Sequence, residues 1–343
     1  MTSQEIRALA AECGFDVAGV ASAQPTADFL RYQEWLAAGY AGAMRYLTDH
    51  RAEVRQDPRR LLASARSVIV VAKVYQTPWP YSTQFNDEER AWISRYAWGD
   101  DYHDWMRRGL KRLDEMLRKR ANGRMESKIC VDTAPLLERS YARLAGLGWI
   151  GKNTCLIHQQ LGSWLFLGEL LVSLEIPPDA PPPDRCGTCR RCIEACPTGA
   201  IVPSPGGWTL DARLCISYFT IELRGPVPEE HRARTGAHVF GCDICQDVCP
   251  WNRRAAVTHD PAFQPREFAP SLEKLAALSE NEFRQMFHGS PVTRARYSGF
   301  LRNVAVAMGN LRNPRFREPL ERLAASEDAI VADHARWALG QLR

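Results

Sequence analysis

No stretch of about eighteen uncharged apolar residues occurs in this chain; the nearest approach, Trp164 to Leu174, is interrupted by Glu169. A membrane-spanning helix is therefore not expected, and the protein should be soluble. No charged-start, apolar, small-residue leader follows Met1, which argues for the cytoplasm, where thiols stay reduced and a disulfide framework is disfavoured. There is no Gly-x-Gly-x-x-Gly after a strand and no P-loop, so the common dinucleotide and nucleotide cradles are missing. The Cys-x3-Cys-x2-Cys pattern of radical S-adenosylmethionine enzymes is absent too, because neither Cys192-x3-Cys196 nor Cys245-x3-Cys249 is followed by the third cysteine. One absence is local. Between Arg284 and Arg317 stand seven arginines and no Asp or Glu, an imbalance that points to phosphate or nucleic acid.

Cysteine, by contrast, is plentiful and ordered. Cys186-x2-Cys189-x2-Cys192-x3-Cys196-Pro197 is answered by Cys242-x2-Cys245-x3-Cys249-Pro250, the spacing that wraps thiolates around cubane clusters. In two-cluster ferredoxins the fourth cysteine of a run serves the other cluster. Cys186, Cys189, Cys192 and Cys249 then hold one [4Fe-4S] cluster, and Cys196, Cys215, Cys242 and Cys245 the other. A structural zinc site needs four ligands from two knuckles, too few to account for eight cysteines and two x3-Cys-Pro endings. Cys13, Cys130 and Cys155 are read as small buried hydrophobes.

With 343 residues, 45% of them hydrophobic, the chain can bury a large core and should divide into two or three domains. Residues 1–175 read as a mixed α/β unit: Val68 to Ala72 and Leu165 to Leu174 as buried strands, Tyr102 to Arg120 and Leu136 to Leu147 as helices. Ile176 to Pro183, rich in proline, is a stiff extended linker. The cluster module runs over 176–252. Residues 253–343 are helical, and Arg302 to Leu311 matches Asp333 to Leu342 with Ala307 on Ala338, Met308 on Leu339 and Gly309 on Gly340. That offset suggests stacked HEAT-like pairs; an ordinary helical bundle remains open.

Two cubane clusters in series make a wire for single electrons, and the N-terminal domain should hold its terminus. The densest constellation there is Asp132-Thr-Ala-Pro-x-x-Glu-Arg139, followed by Gly148-Trp-Ile-Gly-Lys-Asn-Thr154. Asp132 before Pro135 reads either as a helix N-cap or as a carboxylic acid kept protonated for general-acid work.

These segments, with Gly162-Ser-Trp-x-Phe-Leu-Gly-Glu169, Cys215-Ile-Ser-Tyr-x-Thr-Ile-Glu222 and Gly241-Cys-Asp-Ile-Cys-Gln-x-x-Cys-Pro-Trp-Asn252, resemble the epoxyqueuosine reductase family from the first residues through the C-terminal helices. The resemblance implies an α/β (α+β) cobalamin-binding catalytic domain, a ferredoxin-like module with two [4Fe-4S] clusters and an all-α HEAT-like tail. It implies reduction of epoxyqueuosine to queuosine at the wobble position of tRNA, the last step of queuosine synthesis. Cob(I)alamin would open the epoxide, the clusters would regenerate it, and Asp132 would donate the proton to the leaving oxygen. Arg55, Asp132, Arg139, His158, Ser217 and Arg224 fall in segments that line the cobalamin pocket in relatives. The Asp-x-His-x-x-Gly string of histidine-ligated cobalamin proteins is not completed by Asp101-Tyr-His103-Asp-Trp-Met106, so base-off binding without a protein axial ligand is expected. Some relatives would carry a cysteine near Ser94 to Gly99; this chain has none there, and a thiol-dependent step at that place is in doubt.

On the same resemblance, Arg294, Arg296, Arg302 and Arg312 are expected to hold the tRNA backbone while the wobble base is splayed into the site. An external low-potential electron donor and a monomeric state are expected. Two rival readings are a corrinoid reductive dehalogenase-like enzyme acting on a small molecule, which has no use for an acid-free arginine tail, and a pure iron–sulfur electron carrier, which leaves Asp132 and the large N-terminal domain unexplained.

Overall fold

The computed structural model describes residues 1–342. Its organising element is a four-stranded antiparallel sheet of β1 (Val17–Ser22), β2 (Ser67–Val74), β3 (Ser127–Cys130) and β4 (Leu165–Val172), in the order β1-β2-β4-β3. Residues along β2 alternate between two apolar layers. Ile69 and Val71 face one layer with Leu110 and Leu113, while Val68, Val70 and Ala72 face the other with Tyr141 and Leu147. Both faces are therefore covered, which is why the strand reads as an unbroken apolar run. Each such fully buried aliphatic side chain stabilises the fold by roughly 1.5–3 kcal/mol.

The first layer is built by α1 (Ser3–Glu12) and α2 (Tyr102–Arg120). Along α2, Met106, Leu110, Leu113 and Leu117 recur at helical spacing and are all buried. The helix can lie close on β4 because position 168 is glycine: a Cβ there would meet Leu110 and Met106 at 3.0 Å. Asp101 caps the helix, accepting the His103 N–H at 3.0 Å. The helix α3 (Glu138–Leu144) covers the opposite face. It is shorter than the periodicity of Leu136 to Leu147 suggests, because residues 132–137 form a bent loop before it.

Ile176 to Pro183 is extended and carries no secondary structure. It is fastened rather than loose: Ser67 Oγ accepts the Ile176 N–H at 3.0 Å, and Asp179 accepts the Val20 N–H at 2.9 Å.

The C-terminal helices are α4 (Arg296–Leu311), α5 (Arg317–Ala324) and α6 (Ala329–Gln341). Their core also takes in Trp92, Ile93, Ala97 and Trp98 from the first half of the chain and Val239 and Phe240 from beyond the cysteine runs. Trp92–Ile93 and His238–Phe240 pair as short parallel strands. The sequence match between α4 and α6 is a packing match: a Cβ on Gly309 would lie 2.8 Å from Ala338, so the helices touch through these small residues. No described helix is long and apolar enough to cross a membrane.

Candidate active site and cluster module

Cys186, Cys189, Cys192 and Cys249 line one cavity of about 250 Å³ together with Lys152, Asn153, Ile157, Arg185, Pro250 and Trp251. The remaining thiols gather beside it. Burial pushes the Cys242 and Cys245 thiols well up; Cys215 and Cys196 add to the rise at Cys242, and Cys155, Cys242, Cys215 and Cys192 to that at Cys245, so the thiols of both runs crowd together here. None of the eleven cysteines is in a disulfide. A cavity ringed by four sulfurs is what a cubane cluster requires.

The Gly148-to-Thr154 segment acts as a clasp between the sheet and both cysteine runs. Lys152 Nζ donates to the carbonyls of Gly187 at 2.6 Å and Cys189 at 2.9 Å, while Asn153 Nδ2 donates to the Cys245 carbonyl at 3.2 Å. Trp149 meets Trp251 edge-on with ring centroids 4.9 Å apart. Ser163 N–H and Asn252 Oδ1 close the same seam at 2.7 Å. Cys13 and Cys130 are buried as expected; Cys155 instead lies close to Cys215 and Arg139, next to the second thiol set.

Asp132 lies at the end of β3 in the left-handed region, with φ +48°, and its N–H donates to Glu138 Oε1 at 2.6 Å. Since α3 begins only at Glu138, the N-cap reading of Asp132 is excluded. Its carboxylate meets His103: Nε2 to Oδ2 is 3.2 Å, while Nδ1 lies 2.6 Å from Asp101 Oδ1. With both carboxylates ionised, the imidazole between them donates through both nitrogens and is doubly protonated. Burial alone would depress the His103 pKa, but the hydrogen bonds to Asp101 and Asp132 outweigh it and raise the value to about 9. Burial likewise pushes Asp132 up, yet the His103 hydrogen bond and the charges of His103, Arg294 and Arg139 hold it below the usual carboxylate range. In this arrangement both shifts favour the proton on His103, beside the carboxylate that the sequence suggested as the acid. Sequence reading passed over His103 because it was tested only as a cobalt ligand; its placement two residues after an N-cap Asp was the available signal.

Of the anticipated residues, Arg139 and Arg294 act on this carboxylate, and the others have partners of their own. Arg139 donates to the Thr154 carbonyl at 2.8 Å and reaches towards Cys155. Arg294 pairs with Glu222 at 2.6 Å and stands 5.4 Å over the Tyr46 ring. Arg55 is buried beneath Tyr46, donating to its carbonyl at 3.2 Å. Ser217 starts the π-helical turn Tyr218–Glu222 just after Cys215, and Arg224 donates to the carbonyls of Ile221 and Ala295 at 3.1 and 3.2 Å. His158 stands apart. Its Nδ1 accepts the N–H groups of Gln160 and Leu161 at 3.1 and 3.0 Å, and its neighbour Ile157 packs on Cys249.

The four arginines expected to meet tRNA divide. Arg294, Arg296 and Arg312 are exposed. Arg294 faces the Asp132 group through Glu222 and Tyr46. Arg302 is corrected: it is 1% exposed and spends its donors on the carbonyls of Leu223, Gly225 and Phe219 and on Asn303 Oδ1. A guanidinium so enclosed cannot touch a phosphate; it ties α4 to the segment after Cys215.

Two ferredoxin-type cysteine runs, four of whose thiols line one cavity, folded near an ion-paired carboxylate, mark an iron–sulfur oxidoreductase. Residues 185–252 match the model of the 4Fe-4S double cluster binding domain, and residues 55–133 that of epoxyqueuosine reductase QueG, DUF1730. The epoxyqueuosine reductase of Xanthomonas campestris is 40% identical over 98% of this chain and 95% of its own length, and that of Pseudomonas aeruginosa 41% over 98% and 93%. A crystal structure of epoxyqueuosine reductase with an epoxyqueuosine-modified tRNA-Tyr stem loop superposes with a TM-score of 0.89 at 30% identity, covering 98% of this chain and 89% of that one. The Bacillus subtilis enzyme with an aspartate catalytic loop swung out of its active site gives 0.85 at 30% identity over 98% and 89%. The chain belongs to the epoxyqueuosine reductase family.

Proposed function

We infer that this chain reduces epoxyqueuosine to queuosine at the wobble position of tRNA, with electrons relayed through two [4Fe-4S] clusters. The observation that supports this is the position of Asp132, paired with His103 and lying in the fields of Arg139 and Arg294, with Arg139 acting also on Cys155. Both carbon–oxygen bonds of the epoxide break, a carbon–carbon double bond forms, and the oxygen leaves as water, consuming two electrons and two protons. The His103–Asp132 pair holds one proton at the site, ready for the leaving oxygen. The loop of the Bacillus subtilis relative, described as catalytic and carrying an aspartate, supports giving Asp132 this role.

Cobalamin is the cofactor this reading requires. When bound, it supplies a cobalt(I) centre nucleophilic enough for epoxide opening. Arg139, Ser217 and Arg224 offer side-chain donors that suit the amide-bearing rim of a corrin, and Arg55, Asp132 and His158 are assigned to the same pocket. His103 has both nitrogens committed to Asp101 and Asp132, which agrees with base-off binding without a histidine ligand.

Cys186, Cys189, Cys192 and Cys249 hold the first cluster and Cys196, Cys215, Cys242 and Cys245 the second. The working division is a catalytic domain over 1–175, the cluster module over 176–252 and a HEAT-like, tRNA-holding region over 253–343. Arg296 and Arg312 contact the tRNA backbone, and Arg294 the nucleotide that enters the site. The relative seen with a tRNA stem loop supports this partner. The protein acts as a cytoplasmic monomer fed by an external low-potential donor.

The test is anaerobic reconstitution with iron, sulfide, cobalamin and a strong reductant, followed by nucleoside mass spectrometry of epoxyqueuosine-containing tRNA. Queuosine appearing only with cobalamin is expected. Unchanged tRNA despite a bound corrinoid would refute the substrate, and queuosine formed without cobalamin would refute the cofactor.

A further inference from the structure

Behind the Asp132 loop lie two buried carboxylates that the reaction above does not use. Glu138 opens α3 and accepts the Asp132 N–H at 2.6 Å. Glu169, on β4 opposite Cys130, is fully buried, and neither of its oxygens has a hydrogen-bond partner among the described residues. The ionisable group acting on it most strongly is Glu138; Asp132, Cys130, Tyr102 and Arg139 complete the charged and titratable surroundings of the pair. Two adjacent buried carboxylates do not both ionise. Burial raises both, Glu138 to about 7 and Glu169 well above its ordinary value. A proton kept on Glu169 and turned towards Glu138 would give one of its two unpartnered oxygens a partner, while Glu138 Oε1 stays the acceptor of the Asp132 N–H.

Asp132 needs such an acceptor. A non-glycine residue at φ +48° stays in the left-handed region only when its surroundings hold it there. We propose that Glu138 and Glu169 are positioning residues for the reaction: Glu169 donates to Glu138, and Glu138 clamps the Asp132 amide so that its carboxylate stays against His103. This rests on the reading of Asp132 given above.

Glu138→Ala and Glu169→Leu should lower kcat by about 10²-fold, the scale of a misplaced catalytic group, with KM for the tRNA little changed. Amide exchange across residues 131–137 should speed up in both, as local opening becomes easier. Glu169→Gln still donates to Glu138 and should keep kcat and exchange near the parent. Parental kcat and exchange in Glu138→Ala overturns the proposal, as does a Glu169→Gln protein as slow as Glu169→Leu. Should Glu169→Leu fail to fold, Glu138→Ala carries the test. Asp132→Asn run alongside separates the two claims: full activity there removes Asp132 itself, whereas a slow Asp132→Asn beside a parental Glu138→Ala removes only the clamp.

Discussion

His103 Nε2 and Asp132 Oδ2 are 3.2 Å apart, and Asp101 holds the other ring nitrogen at 2.6 Å. The imidazole is raised to about 9 from an ordinary 6.5. A raised histidine stabilises the fold fully below 6.5, and the contribution disappears as pH climbs through about 9. Its size is about 1–2 kcal/mol once solvent at the half-exposed Asp132 is allowed for. His103→Gln should therefore flatten the stability curve between those pH values in urea titrations. Turnover of the parent should fall with an alkaline limb near 9 that the variant lacks. An unchanged limb would remove His103 as the proton holder.

Arg302 and the exposed arginines should separate cleanly. Arg302→Met leaves the carbonyls of Leu223, Gly225 and Phe219 without their donor, costing about 3 kcal/mol, visible as a lower melting temperature. Where that variant is folded, its tRNA salt dependence should match the parent. Arg296→Glu and Arg312→Glu should each reduce the slope of log K against log salt by about 1 with little effect on stability. Filter binding across a salt series reads both.

The paired glycines of α4 and α6 are not equivalent. A Cβ on Gly309 would press on Ala338 at 2.8 Å, whereas one on Gly340 meets nothing within 4 Å. Gly309→Ala should destabilise by about 1–3 kcal/mol through overpacking. Gly340→Ala should be neutral or stabilise by up to about 1 kcal/mol through helix propensity. Thermal denaturation of the two variants makes the comparison.

Cysteine pairs report which thiols share a cluster. Cys192→Ser with Cys249→Ser should retain about half of the iron, no less than either single variant, because both ligate the same cluster. Cys192→Ser with Cys196→Ser should lose nearly all of it. Cys155→Ser should keep the parental content. Iron per chain and electron paramagnetic resonance of the reduced protein measure this, and a reversed pattern would break the assigned sets.

The residues whose patterning is local were legible before the fold. Helix α2 begins and ends at Tyr102 and Arg120 as its spacing dictates, and β2 and β4 lie on the apolar runs that foretold them. The two cysteine runs were legible from their spacing, whereas which thiols share one cavity is a matter of the fold. Long-range partners were not legible. Nothing local marks Arg302 as buried, because its three carbonyl acceptors lie some eighty positions earlier. Asp132 looked like a cap because Pro135 follows, yet the chain bends on to Glu138 before the helix starts. The Lys152 and Asn153 clasp was visible as a motif, but its two targets appear only when the cysteine runs are folded against the sheet.

That clasp has a bearing on how the protein is made. Lys152, Asn153 and Ile157 wall the same cavity as Cys186, Cys189, Cys192 and Cys249, so the cysteine run by itself forms only part of the vessel. On the proposed ligand set, the 149–157 hairpin must be folded against the cysteine run before iron in that cavity is shielded from water and oxygen. A chain stalled with its first half unfolded would load a cluster open on one side, and its rapid bleaching in air would mark the immature protein.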